Sequence, residues 1–93
     1  MSYVKNKRDA NEAEIIEFLH RAGCVTIQMT KDAGFDMVVI SPRTGTHIVE
    51  IKNPAKKWTL TTAEKTLQFH VIQIGGRYNV IETIEQAAIL AGV

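Results

Sequence analysis

Apolar residues recur along this chain with two alternating periods. In "RDANEAEIIEFLHRAG", residues 8–23, Ile15, Ile16, Leu19 and Ala22 form one stripe at helical spacing. Asp9 or Asn11 stands where a cap belongs, and Gly23 ends the run. "CVTIQMT", residues 24–30, then sets Val25, Ile27 and Met29 against Thr26, Gln28 and Thr30, the period of a strand. "FDMVVIS" and "THIVEIK", residues 35–41 and 46–52, read as two more strands joined by "PRTG". "TTAEKTLQFHVIQIGG", residues 61–76, predicts a second helix opened by a Thr61/Glu64 capping box and closed by Gly75 or Gly76. A fourth short strand, "RYNVIE", and a last helix behind a Thr83/Gln86 box, "TIEQAAILAG", complete the order αβββαβα. That order predicts a mixed α/β domain with a central sheet and a meander at its middle. Without repeats, linkers or low-complexity stretches, residues 1–93 read as a single domain, with residues 1–8 a flexible basic arm.

Two of the strands carry charges that their burial pattern does not explain: Asp36, Glu50 and Lys52. A charge in a buried strand is costly unless it is paired or binds a metal. Glu50 and Lys52 are two apart and share a face, while Val49 and Ile51 occupy the other. Asp36 joins them only in one hairpin register. A loop of Thr44-Gly45 pairs Arg43 with Thr46 and sends Asp36 to the opposite face. A loop of Arg43-Thr44-Gly45 pairs Pro42 with Thr46, Val38 with Glu50 and Asp36 with Lys52, which gathers all three charges. Gly45 favours the second, because such a loop ends in a left-handed residue.

The first helix adds a fourth charge. At 3.6 residues per turn Glu12 falls within the stripe of Ile15, Ile16 and Leu19, while Glu14, Glu17 and Arg21 point away. Glu12 equally suits a capping box with Asp9, where a negative charge meets the helix dipole. The two readings are compatible, since a first turn can face a site.

Composition narrows the setting. Hydrophobic content of 45% and charged content of 23% over 93 residues belong to an ordinary globular domain, with no apolar run long enough to span a bilayer. The first ten residues lack the apolar core of a signal peptide, so the expected location is intracellular and cytoplasmic. The single cysteine, Cys24, excludes an internal disulfide and reads as a small core residue. Net charge is only +1, but Lys5, Lys7 and Arg8 cluster at the start, and Lys52, Lys56 and Lys57 gather around Asn53-Pro54 with Trp58 beside them. Together the clusters point to a polyanion. His20, His47 and His70 are not spaced as a site and read as surface or half-buried packing, as Tyr78 reads as core. Trp58 is balanced between packing and stacking on a base.

Inward carboxylates with one lysine suit a hard divalent cation such as Mg2+, which takes oxygen ligands and keeps several waters. Asp36 and Glu50 would supply carboxylates, with the main-chain carbonyl of Ile51; Glu12 would bind a second ion or orient a water. Such a site fits in-line hydrolysis of a phosphodiester. Lys52 would hold a non-bridging oxygen or the attacking water, or assist proton transfer if close cations lower its pKa.

Asp36 followed past the turn by Glu50-Ile51-Lys52 resembles the motif of PD-(D/E)xK nucleases. With "GFDMVVI", "VEIKNP", "LTTAEK" and "GGRYNVIETIEQA", and the opening "RDANEAEIIEFLHRAG", the chain is similar from about Arg8 to Gly92 to small stand-alone VRR-Nuc nucleases of phages and bacteria. The resemblance implies the restriction-endonuclease-like core and a Mg2+- or Mn2+-dependent, structure-selective DNA endonuclease. It also implies a homodimer that cuts branched DNA such as Holliday junctions, and a phage or bacterial origin. By position, Asp36 and Glu50 match the metal carboxylates, Lys52 the catalytic lysine and Glu12 the helical acid. The family's glutamine on the second helix has no single counterpart: Glu64 stands at its position, and Gln68 is the nearest actual glutamine. Phe35 replaces the motif's frequent proline. Two rival readings are a non-catalytic nucleic-acid-binding module of the same fold and a dimerisation domain in which Lys52 only pairs with the acids. The first leaves the complete set of charges without a purpose, and the second leaves an excess of inward acid.

Overall fold

Both periods are realised in the computed structural model, which describes residues 10–93. Helix α1 (Glu12–Arg21), strands β1 (Val25–Gln28), β2 (Met37–Ser41) and β3 (Gly45–Ile51), helix α2 (Thr62–Gln73), strand β4 (Tyr78–Ile81) and helix α3 (Ile84–Ala91) follow in the expected order. One element is additional, a 3-10 turn at Lys31–Ala33. The capping boxes of α2 and α3 both form reciprocally, Thr61 with Glu64 and Thr83 with Gln86.

Helix α1 takes one of its two expected starts but lacks the expected capping bond. Asn11 is its N-cap residue, but the Asn11 side chain caps nothing in the helix. Its amide instead donates to the carbonyls of Lys52 at 3.0 Å and Glu82 at 2.8 Å, clipping the helix to the ends of β3 and β4. Glu12 is thereby the first helical residue, whereas a box with Asp9 requires it two positions further in. Asp9 itself lies outside the described residues, as does the arm at residues 1–8.

The sheet runs β1-β2-β3-β4, with β1, β2 and β3 an antiparallel meander and β4 parallel to β3. Helix α2 makes the crossover that a parallel pair needs. One face of the sheet packs under α1 and α3: Met37, Val39, Val49, Ile51 and Ile81 meet Ile15, Leu19, Ala87 and Leu90, with Cys24 buried at the margin. The other face carries Glu50, Tyr78 and Val80 on the side of α2.

Strand β1 places its apolar side away from the core. Val25 pairs with Ile40 and Ile27 with Val38, so these four share the face opposite α1 and α3. Thr26 and Gln28 turn towards α1, where they meet His20 at 2.8 Å and Glu12 at 3.3 Å.

The hairpin corrects the expected pairing by two residues. Ser41 pairs with Gly45, Val38 with Ile48 and Met37 with Val49, so the residues between the paired positions are Pro42-Arg43-Thr44. The physical reason is Ser41. Its hydroxyl accepts the amides of Arg43 at 3.1 Å and Thr44 at 3.3 Å and closes the turn one residue before Pro42. The same hydroxyl donates to Ala91 O at 2.9 Å, Arg43 Nε donates to that carbonyl at 2.7 Å, and Thr44 Oγ1 donates to Leu90 O at 2.7 Å. The turn thus satisfies the last carbonyls of α3, which a helix end leaves open. A slip of two preserves every side chain's face, and the charges stay together.

Gly45 keeps the role expected of it, with φ +93. A Cβ there would also stand 2.8 Å from the Arg77 guanidinium, which donates to Thr44 O. Gly45→Ala is expected to cost about 1–2 kcal/mol, read as a fall in thermal midpoint of roughly 5–10 °C for a domain of this size. An unchanged midpoint would mean that the turn tolerates a different conformation.

His47 is fully part of this core, not of the surface. It is buried on the face opposite Glu50 and held between Thr44 Oγ1 at 2.7 Å and Asn79 Nδ2 at 3.1 Å. Burial and the nearby Arg77 charge hold its pKa below the ordinary value, so it packs as a neutral ring.

Candidate active site

Strand β2 begins with an irregularity. Met37 pairs with Val49, and the amide of the preceding Asp36 also donates to Val49 O, at 3.1 Å. Two residues facing one is the geometry of a β-bulge, which re-aims a side chain at a sheet edge. The Asp36 carboxylate takes the place of a ladder acceptor and receives the Ile51 amide at 2.7 Å. Asp36 is therefore fixed to the peptide whose neighbours are Glu50 and Lys52.

Glu50 and Lys52 leave β3 on the face that α2 approaches. Lys52 Nζ lies 3.4 Å from Glu50 Oε2, and 3.2 Å and 3.4 Å from the two oxygens of Glu64. Glu64 is placed by its own capping box, since Oε1 also receives the Thr61 amide at 2.8 Å. A residue that secondary-structure reading assigns to a cap is thus also the second carboxylate on the lysine. Of the two candidates on α2, Glu64 makes the contact; Gln68 lies one turn further along.

The electrostatics follow from crowding. Burial pushes the Glu50 carboxyl up, a hydrogen bond to Glu64 and the negative charges of Asp36 and Glu64 push it further, and Lys52 only partly offsets them, leaving it at about 8. Glu64 moves the other way: burial would raise it, but the Thr61 amide and its bonds to Glu50 and Lys52 hold it below the ordinary value. Burial would lower the Lys52 pKa, but the carboxylates of Glu64 and Glu50 outweigh it and keep the ammonium charged. Tyr78 lies beside the same cluster; burial and the charges of Glu50, Glu64 and Asp36 push its hydroxyl up to about 12. That hydroxyl is buried without a hydrogen-bond partner among the described residues.

Glu12 arrives from the helix side. It is buried, and Gln28 Nε2 donates to its Oε2 at 3.3 Å, a partner that β1's alternation places towards α1. The Asn11 clip holds the start of α1 beside the Lys52 peptide. Sequence reasoning names Asn11 only as a helix cap and Gln28 only as a polar position of a strand, not as site residues. Both are polar residues beside an apolar run, and their contacts depend on packing between distant segments.

The loop after Lys52 is an Asn53-Pro54 turn in which Asn53 Oδ1 receives the Ala55 amide at 2.9 Å. It presents Lys56, Lys57, Trp58 and Thr59 along an open groove. Trp58 Nε1 donates to Glu82 Oε2 at 2.7 Å, and Lys52 Nζ lies 6.0 Å from the indole centroid. Two of the expected basic clusters are accordingly separate matters: Lys56 and Lys57 flank the site, while Lys5, Lys7 and Arg8 lie outside the described residues.

Among the described residues, no three His, Cys, Asp or Glu side chains could by themselves hold a metal ion. Mg2+ asks for less, one or two carboxylates with water and phosphate oxygens, and Asp36 with Glu50 offers that hard donor set. A carboxyl that burial and neighbouring negative charges push up to about 8, despite Lys52 beside it, fits a site completed by a cation.

No model of a known protein family matches the sequence, and no curated protein matches it either. The fold has a clear counterpart among solved structures. A chain described as a VRR_NUC domain superposes with a TM-score of 0.66 over 90% of this chain and 97% of its own, at 17% sequence identity. No helix among the described residues is long and apolar enough to cross a membrane. The four-stranded mixed sheet, the three helices around it and the superposition over nearly the whole of both chains together show that this protein has the VRR-Nuc domain fold.

Proposed function

We propose that the protein is a metal-dependent, structure-selective endonuclease that hydrolyses phosphodiester bonds in DNA, branched DNA such as a Holliday junction being the preferred substrate. The observation that carries this reading is the convergence of Asp36, Glu50 and Lys52 at one end of a sheet whose fold is that of a VRR_NUC domain. Asp36 and Glu50 would hold Mg2+ or Mn2+ together with the Ile51 carbonyl, and Glu12 would serve a second ion or a water. When bound, the ion supplies Lewis-acid stabilisation of the phosphodiester and makes water a nucleophile at neutral pH.

The chain's own groups do the rest. Asp36 is held rigid by the Ile51 amide. Lys52, held protonated by Glu64 and Glu50, offers an ammonium to a non-bridging phosphate oxygen as charge develops there. Glu64 orients that ammonium, a positioning role. Lys56 and Lys57 meet flanking phosphates.

The rival readings, a non-catalytic binding module and a dimerisation domain, are separated from this one by a single assay. The protein is incubated with a four-way junction, a flap and a linear duplex in Mg2+, Mn2+ or EDTA, beside Asp36→Asn. Cleavage that needs a metal and is lost in the variant is expected. Absence of cleavage with either metal, or equal cleavage by the variant, would sink the nuclease reading, and binding without cleavage would favour the module.

The working form we propose is a homodimer. Val25, Ile27 and Ile40 are 55%, 48% and 39% exposed on a sheet face whose polar counterpart, Thr26 and Gln28, is turned inward. An apolar side turned outward in an edge strand calls for a cover, and two copies would double the phosphate contacts. Ile27→Glu is expected to shift the mass measured by light scattering from dimer to monomer. A monomeric wild type at the concentrations that cleave would remove the dimer.

A further inference from the structure

We infer that Trp58 is a stacking platform for one unpaired nucleobase beside the scissile phosphate, so that the site takes DNA with a nucleotide freed from the duplex stack. This rests on the nuclease reading for the position of the phosphate, but its own observations are independent of catalysis. The indole is fixed: Nε1 is tied to Glu82 Oε2 at 2.7 Å, and Lys52 lies 6.0 Å from the ring centroid. It is nonetheless 37% exposed, an unusual position for the largest aromatic ring in a chain with only one tryptophan. Its remaining surface lines an open groove with Lys56, Lys57 and Thr59.

Each part has a counterpart in single-strand recognition. A ring pinned at its polar edge loses little further freedom on binding, so a base that stacks on it gains most of the contact energy. Lysines on the same loop track the backbone on either side of that base. Lys52 joins the two functions, because the cation that would meet the phosphate is also the one beside the ring. In an intact duplex every base is stacked between its neighbours, and none can reach the indole without unpairing. A fork or flap, with its single strand, offers such a base at no cost. Preference for branched substrates then has a structural cause in one side chain, and Glu82 is a positioning residue for it.

The sole tryptophan makes the test direct. Wild-type protein in EDTA, where no cleavage occurs, is titrated with three probes: a forked duplex with unpaired thymines, a blunt duplex of equal length, and a single-stranded oligothymidine. Stacking is expected to quench the Trp58 emission with the fork and the single strand but not with the blunt duplex. Trp58→Ala is expected to lose roughly tenfold in affinity for the fork and much less for the duplex. Trp58→Phe should recover part of the difference, and Glu82→Leu should reduce the quenching while Glu82→Gln, which keeps the acceptor, retains it. Equal quenching by fork and blunt duplex, or a fork preference unchanged in Trp58→Ala, would overturn the proposal. Quenching without any cleavage in Mg2+ or Mn2+ would leave the stacking site standing and remove the nuclease reading; cleavage without quenching would do the reverse.

Discussion

Lys52→Ala is expected to lower the rate of DNA cleavage by about 10²–10³-fold, with binding to the same substrate in EDTA weakened far less. The magnitude is that of removing one preorganised charge from a site where a transition state develops its own. The argument starts from position. Lys52 follows β3 directly, its peptide is fastened by Ile81 O at 3.0 Å and by Asn11 at 3.0 Å, and its ammonium is directed by Glu64. Few side chains of this length are so constrained, and a constrained ammonium acts without reorganising. The substitution also removes the Lys52 counter-charge from the crowded Glu50 and Glu64 carboxyls, a loss of roughly 1–3 kcal/mol in stability. Thermal midpoints measured alongside the rates separate the two effects. Lys52→Arg keeps the charge but not the compact head group, and it is expected to restore stability more fully than activity. A Lys52→Ala protein that melts normally and cuts at the wild-type rate would remove the lysine from the mechanism.

The elements around this site were readable because their signals are local. Thr61/Glu64 and Thr83/Gln86 announce two helices within four residues, and both boxes form. The alternation of 35–41 and 46–52 announces two strands, and Gly45 announces a left-handed position between them. What escaped depends on contacts across the fold. Nothing in the hairpin's own residues says that Ser41 will donate to Ala91 at the end of the chain while accepting from Arg43 and Thr44, and that is what moved the register by two. The error was harmless for the site because two is the strand period. A slip of one would have scattered the charges. Asn11 misled for a related reason: its capping role is a local inference, while its actual partners, Lys52 and Glu82, lie at the far side of the sequence. Strand β1 shows a third kind of limit. Alternation reveals that one side is apolar but not which side the helices cover, and here α1 covers the polar one. The acid on α2 was legible in position but not in role, since Glu64 serves the cap and the lysine at once.

Glu50→Gln is expected to abolish cleavage and, in the same protein without metal, to raise thermal stability at pH 8–9. The ordinary carboxyl value is 4.5 and the folded one about 8, so between them the folded state binds the proton that the unfolded state has released. A group raised in this way contributes stability that is complete below pH 4.5 and is lost as pH rises through about 8. Glu64 has the opposite sign; its folded value is depressed, and its contribution is present above the ordinary value and lost in acid. The alkaline side is therefore where Glu50 acts alone. A glutamine there carries no charge to desolvate and can still hydrogen-bond to Glu64. With screening at the open side of the site, the gain is roughly 1–2 kcal/mol, or about 5–10 °C in the midpoint, shrinking to nothing near pH 5. The wild type should recover the same stability when Mg2+ or Mn2+ is added, and at pH 7 that addition should release close to one proton, measurable by calorimetry in buffers of different ionisation enthalpy. Midpoints of wild type and variant that run parallel from pH 5 to 9 would show that Glu50 is ionised throughout. The crowding of Asp36, Glu50 and Glu64 would then be relieved by something other than a shared proton, and the case for a cation at this position would lose its electrostatic support.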